Sequence, residues 1–195
     1  MSRSIEKPMI DFIDSKLASN GLAQKAITEG DARLVFMLAM QCLVGIREVG
    51  GNNEGPMVEL IQKTIGGAGK EAWCMAGIQT GLAYAEHKTG KVSPIPASEH
   101  CMTVFKGTPA KFKVKKIPAP GAIAIWNYPP KSNGHTGVVM QYRLDAGKMN
   151  LVECNTEAGL NKSGTIERDG GGVYYTERSI KGTSKMVLKG FLIPF

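Results

Sequence analysis

No stretch of this 195-residue sequence is long and apolar enough to span a bilayer. The most apolar run, LVFMLAMQCLVGI at residues 34–46, falls short of the roughly 18 residues a membrane helix needs and reads as a buried core helix. The opening residues, MSRSIEKPMIDFIDS, have neither the unbroken apolar segment nor the small-residue cleavage site of a secretory signal, so a protein made in the cytoplasm is expected. Cysteines are few, and Cys42, Cys74, Cys101 and Cys154 form no CxxC pair and no zinc-ligand spacing. In reducing cytosol such thiols are expected to stay free of disulfides. Internal repeats, low-complexity tracts and linkers are all missing, and one domain spanning 1–195 is expected.

Charge of one sign is in surplus. Lys and Arg number 24 against 17 Asp and Glu, a formal net charge of +7 spread along the chain rather than gathered in a tail. That balance suits solubility and equally suits an anionic partner: nucleic acid, a membrane surface or an acidic polymer such as bacterial cell wall. Nucleic acid is the weaker fit, because Lys111, Lys113, Lys115 and Lys116 form one short basic strand with a single aromatic, Phe112, and no recognised module.

The first half carries helical periods. Ile10, Ile13 and Leu17 share a stripe that Asn20-Gly21 stops, and Asp31 can cap a second, nearly all-apolar helix. Pro56 suits the first turn of a third helix whose stripe is Val58, Ile61 and Ile65, and a fourth begins near Cys74. Residues 89–110 are the least regular part and are expected to form a loop. From about residue 111 the period turns to short β-rich runs: KFKVKKI, GAIAIWNY, HTGVVMQYR, MNLVECNT, GVYYTERSI and MVLKGFLI. Helices followed by strands joined through short turns predict an α+β fold with an antiparallel sheet of five or six strands.

Three segments carry chemistry. In GKEAWCMAGIQTG, Cys74 falls in the first turn of a helix, where unpaired backbone N–H groups and the helix dipole favour a thiolate; the competing reading is a buried core thiol. In SNGHTGVVM a turn delivers His135 to the mouth of a strand. In LVECNTEAG, Glu153 and Asn155 lie two apart on one strand face, with Cys154 pointing the other way. A hairpin around LDAGK, residues 144–148, sets His135 opposite residues 156–158, and a small bulge or register shift would align it with Asn155 or Glu153. Nucleophile, imidazole and orienting group together are far more specific than any one of them.

GIREVGGNNEGPMVELIQ, EAWCMAG, PGAIAIWNYPP, NGHTGVV and ECNTEAG, in this order and spacing, resemble the CHAP (cysteine, histidine-dependent amidohydrolase/peptidase) family of bacterial and phage wall hydrolases, relatives of the NlpC-like and papain-like peptidases. The resemblance covers roughly residues 45–180, with residues 1–44 as helices extending the core. It implies a papain-like fold in which Cys74 opens a helix packed on the sheet, His135 starts a strand, and Glu153 and Asn155 lie on the next. Cys74 is then the nucleophile and His135 its base, with Glu153 orienting the imidazolium and Asn155 supporting the ring or the oxyanion. Trp73, Trp126, Asn52 and Asn53 are candidates to line the cleft, or else core and turn residues. WCM in place of the commoner glycine-polar-Cys-Thr form, and Cys154 inside Glu-x-Asn, are departures that bear on substrate preference. The implied partner is peptidoglycan, reached by a monomer through holin-mediated release, virion delivery or injection. No cofactor and no metal is expected: the loop before Cys74 lacks clustered aspartates, and Glu99-His100-Cys101 has no distant partner ligands.

Overall fold

The computed structural model describes residues 2–157 and 171–195. Ala158 and Gly159, the end of the ECNTEAG segment, lie outside the described residues. Helix α1 (Lys7–Leu17) buries Met9, Ile13 and Leu17, so Met9 rather than the half-buried Ile10 completes its stripe. Asn20 ends no helix alone. Its side chain accepts a hydrogen bond from the Ala23 N–H at 3.0 Å and caps α2 (Gly21–Glu29), which the sequence pattern did not announce. The inward face of α2 is only Ala23 and Ala26, too little apolar signal for a periodicity argument.

Asp31 caps α3 (Ala32–Leu43) by accepting from the Leu34 N–H at 3.0 Å. Pro56 opens α4 (Pro56–Lys63), which buries Val58 and Ile61. Helix α5 (Cys74–Thr89) is buried along every residue from Cys74 to Ala85 and packs on α3 and on the sheet. Glycines let it sit that deep. A Cβ at Gly81 would lie 2.6 Å from Met40 Sδ, and one at Gly77 would lie 2.2 Å from Cys154 Sγ, so helix and neighbours meet backbone to side chain. The stretch expected to be loop contains α6 (Cys101–Gly107), whose Cys101 and Val104 are buried.

Six strands follow, all paired antiparallel in the order β1-β6-β2-β3-β4-β5. They are β1 (Lys113–Val114), β2 (Ile123–Asn127), β3 (Gly134–Arg143), β4 (Lys148–Thr156), β5 (Gly172–Ser179) and β6 (Val187–Leu192). The fold is therefore α+β, with six α-helices and a six-stranded antiparallel sheet among the described residues. Strand β1 is much shorter than KFKVKKI suggested, because a 3-10 turn at Ala110–Phe112 takes its start and the strand lies at the sheet edge.

Alternation along β2 divides two cores. Ile123 and Ile125 join the helices, whereas Ala124 and Trp126 face a second cluster with Val139, Met149, Leu151 and Phe191. The β3–β4 hairpin begins in the register Arg143↔Lys148 and slips by one residue at Met140, after which Val138 pairs with Val152. This bulge draws Glu153 back toward the His135 end of β3.

Candidate active site

The sulfur of Cys74 stands at the start of α5, and Trp73 occupies the capping position without covering the helix end with a side-chain hydrogen bond. The uncapped N-terminal N–H groups and helix dipole therefore favour negative charge at Cys74, and the Met75 N–H contributes directly to holding a thiolate. His135, the second residue of β3, is buried and pairs with Trp126 of β2. The rings are 6.2 Å apart and tilted by 30°, so the indole backs the imidazole. Its Nε2 lies 3.0 Å from Glu153 Oε2, leaving Nδ1 as the nitrogen for the Cys74 sulfur.

Glu153 is wholly buried on β4. Gly137 makes room for it: a Cβ there would come within 2.6 Å of Glu153 Cγ. The carboxylate is clamped by Arg178 of β5, whose Nε donates to Oε1 at 2.8 Å and whose Nη2 donates to Oε2 at 2.6 Å. This two-toothed clamp and the histidine together satisfy a charge that burial would otherwise expel.

Sequence reasoning missed Arg178, although a signal existed. A carboxylate on an inward strand face needs a cation, and Arg178 lies on the neighbouring strand, two and four positions beyond Thr176 and Tyr174, the partners of Leu151 and Glu153. Cys101 was missed too as a neighbour of the nucleophile candidate: its Sγ lies 3.8 Å from that of Cys74, across 27 positions of chain.

Asn155, the expected support of the ring or the oxyanion, has its side chain on the Asn53 loop. A break in the β4–β5 register between Glu153 and Thr156, with φ of 52° at Asn155, ends the strand alternation. Its side-chain N–H donates instead to Asn53 Oδ1 at 2.6 Å. Asn53 itself receives a hydrogen bond on its carbonyl from Gln62, which also donates to the carbonyl of Glu71 at 2.7 Å. Asn155 thus props the loop that delivers Cys74.

Asn52 is exposed, and Trp73 and Trp126 are buried; Trp73 donates its Nε1–H to Glu48 at 2.9 Å. None of these four expected cleft residues lines the hollow beside the sulfur. That hollow, about 480 Å³, is lined by Cys74, Cys101, Glu71, Glu99, Lys106 and neighbours, a mixture of acid and base. Among the described residues no cluster of three or more His, Cys, Asp or Glu side chains is placed to hold a metal ion, and no helix is long and apolar enough to cross a membrane.

Charge in the site is strongly biased. Hydrogen bonding from Cys101 leads in holding the Cys74 thiol well below the usual cysteine range; burial opposes it, and His135 adds to it. Burial works against the imidazolium, yet Cys74 and Glu153 outweigh it and raise His135 to about 9. Burial likewise opposes the Glu153 carboxylate, and Arg178 and His135 outweigh it, bringing it down to about 2. These biases together favour a thiolate beside an imidazolium above a carboxylate.

Burial raises Cys42 and Cys154, and the neighbouring Cys74 raises Cys101, so the four thiols separate by reactivity. Iodoacetamide at pH 7 is expected to label Cys74 and leave the other three unlabelled. Its rate should already be on a plateau where an ordinary thiol, with pKa near about 8.5, is still mostly protonated. Peptide mapping by mass spectrometry checks this, and equal labelling of all four would contradict the charge assignment.

Comparison with known proteins returns no match for this chain, whether among family models, curated proteins or solved structures.

Proposed function

We propose that this protein is a CHAP-type wall hydrolase with a papain-like fold, cleaving a peptide amide bond of bacterial peptidoglycan through a Cys-His thiolate mechanism. The observation that carries the reading is the chain of contacts at the start of α5: Cys74 beside His135, His135 on Glu153, Glu153 clamped by Arg178. The sequence resemblance and the net charge of +7, suited to an anionic wall polymer, support it.

In this reaction the Cys74 thiolate attacks the amide carbon, and the Cys74 backbone N–H at the helix start faces the developing oxyanion. His135, already protonated, gives its proton to the leaving amine. It then takes one from the water that releases the acyl group. Glu153 keeps the imidazole oriented and its positive charge compensated throughout.

Delivery as a phage lysin, an endolysin or a virion-associated enzyme, is the first route for such a wall hydrolase; injection as an antibacterial effector is the second. Digestion of purified peptidoglycan followed by mass spectrometry tests the proposal. A new amino group on a stem or bridge residue identifies an endopeptidase, and peptide-free glycan identifies an N-acetylmuramoyl-L-alanine amidase. Walls that bind the protein but yield no new termini would overturn the enzymatic reading in favour of a wall-binding or virion structural protein without turnover.

A further inference from the structure

The hydrolytic mechanism uses one thiol, yet the cleft holds two. Cys74 and Cys101 present their sulfurs to each other at 3.8 Å, and both line the same hollow. They come from different elements, the start of α5 and the start of α6, and Cys101 is seated by its own burial and that of Val104. A disulfide needs a sulfur separation of about 2.05 Å, so closure requires a shift of under about 2 Å shared between two side chains and one short helix. The other cysteines are placed differently. Cys154 is wholly buried against Gly77, and Cys42 lies on α3; neither lines this hollow.

We propose that Cys74 and Cys101 form a reversible disulfide, with Cys101 as the resolving thiol that captures Cys74 after oxidation by a hydroperoxide. In the first step the Cys74 thiolate attacks a peroxide oxygen. An S–O bond forms, the O–O bond breaks, and the leaving oxygen departs as hydroxide or alkoxide and takes a proton. Cys74 has lost two electrons to the peroxide and is a sulfenic acid. In the second step the Cys101 sulfur attacks the Cys74 sulfur. The S–S bond forms, the S–O bond breaks, and the hydroxyl leaves as water with the proton of Cys101. A dithiol reductant returns both residues to thiols by two successive exchanges and is itself oxidised to a disulfide.

Local charge sets the order of events. While Cys74 is a thiolate, its charge keeps Cys101 protonated and unreactive. Oxidation of Cys74 removes that charge and frees Cys101 to ionise and attack. The pair thereby shuts the cleft nucleophile in a recoverable form and spares it sulfinic acid, which ordinary thiols cannot reverse.

Each cysteine of the chain falls in its own tryptic peptide, residues 71–88 for Cys74 and 92–106 for Cys101, so the linkage can be mapped directly. The full chain would be treated with hydrogen peroxide, blocked with iodoacetamide, digested without reductant and analysed by mass spectrometry. The expected product joins 71–88 to 92–106, with iodoacetamide labelling of Cys74 down at least about tenfold and restored by dithiothreitol. In Cys101→Ser, Cys74 should proceed to sulfinic acid and dithiothreitol should restore under about a tenth of its labelling. Failure to find the joined peptide, its replacement by a Cys74–Cys154 linkage, or full recovery of Cys101→Ser would overturn the proposal. If Cys101→Ser does not fold, the peptide map of the unaltered chain decides alone. The readout is thiol labelling rather than wall digestion, so this proposal and the hydrolase reading fail separately.

Discussion

Cys74→Ala is expected to lose on the order of 10⁴-fold or more of the proposed amide hydrolysis while unfolding close to the parent's denaturant midpoint. Alanine fits the same helix start and removes only the sulfur, so α5 keeps its seat against the sheet. The other thiol of the cleft does not replace it, because Cys101 is held protonated beside Cys74. His135→Ala should lose nearly as much, and the double variant little more, because nucleophile and base act as one unit. Turbidity loss of a wall suspension, read beside urea unfolding, separates catalysis from folding. Equal clearing by parent and Cys74→Ala would sink the thiolate mechanism.

Glu153→Ala is expected to destabilise the fold by about 3–5 kcal/mol at pH 7, the range for leaving one partner of a buried ion pair unpaired. Arg178 is the partner left behind, largely buried with its two donors aimed at an empty site. A double change, Glu153→Gln with Arg178→Met, should recover much of that loss by removing the orphaned charge. The pH dependence gives a second reading. Glu153 is held at about 2, below the 4.5 of an unpaired glutamate, so its stabilisation is complete above 4.5 and fades as pH falls toward 2. His135 is raised to about 9 from 6.5, so its contribution is complete below 6.5 and fades as pH rises through 9. Urea unfolding across pH 2–10 checks both limbs. The Glu153→Ala protein should lack the acid limb, and an unchanged acid limb would show that another group carries it.

The sequence announced these elements unevenly, for identifiable physical reasons. Strands β2 to β6 were legible because each alternates or runs apolar between turn residues, and α3 because nearly all its faces are buried. Helix α2 turns only two alanines inward, and α6 is seven residues without a side-chain cap, so neither left a pattern to read. Cys74, His135 and Glu153 could be placed on elements because a helix start and a hairpin restrict where side chains go. The hairpin register was legible to within a few residues but not the slip at Met140, which depends on the sheet around it. Asn155 defeated the period-two rule because a positive φ turns it out of the strand pattern. Cys101 was hidden for a simpler reason: its partner Cys74 is 27 positions away in sequence, and only the packed fold brings the two near.

Strand order also governs when the site comes into being. β6, the last strand, lies between β1 and β2, so the edge strand β1 stays apart from the sheet and β2 lacks one neighbour until the chain beyond Met186 has docked. Cys74, His135, Glu153 and Arg178 all leave the ribosome before the strand that braces β2, and β2 carries the Trp126 that backs the imidazole. Pairing over such separations is slow to form because the intervening chain must first be ordered. The brace behind Trp126 and the His135 ring is therefore completed only when the last strand pairs with β2.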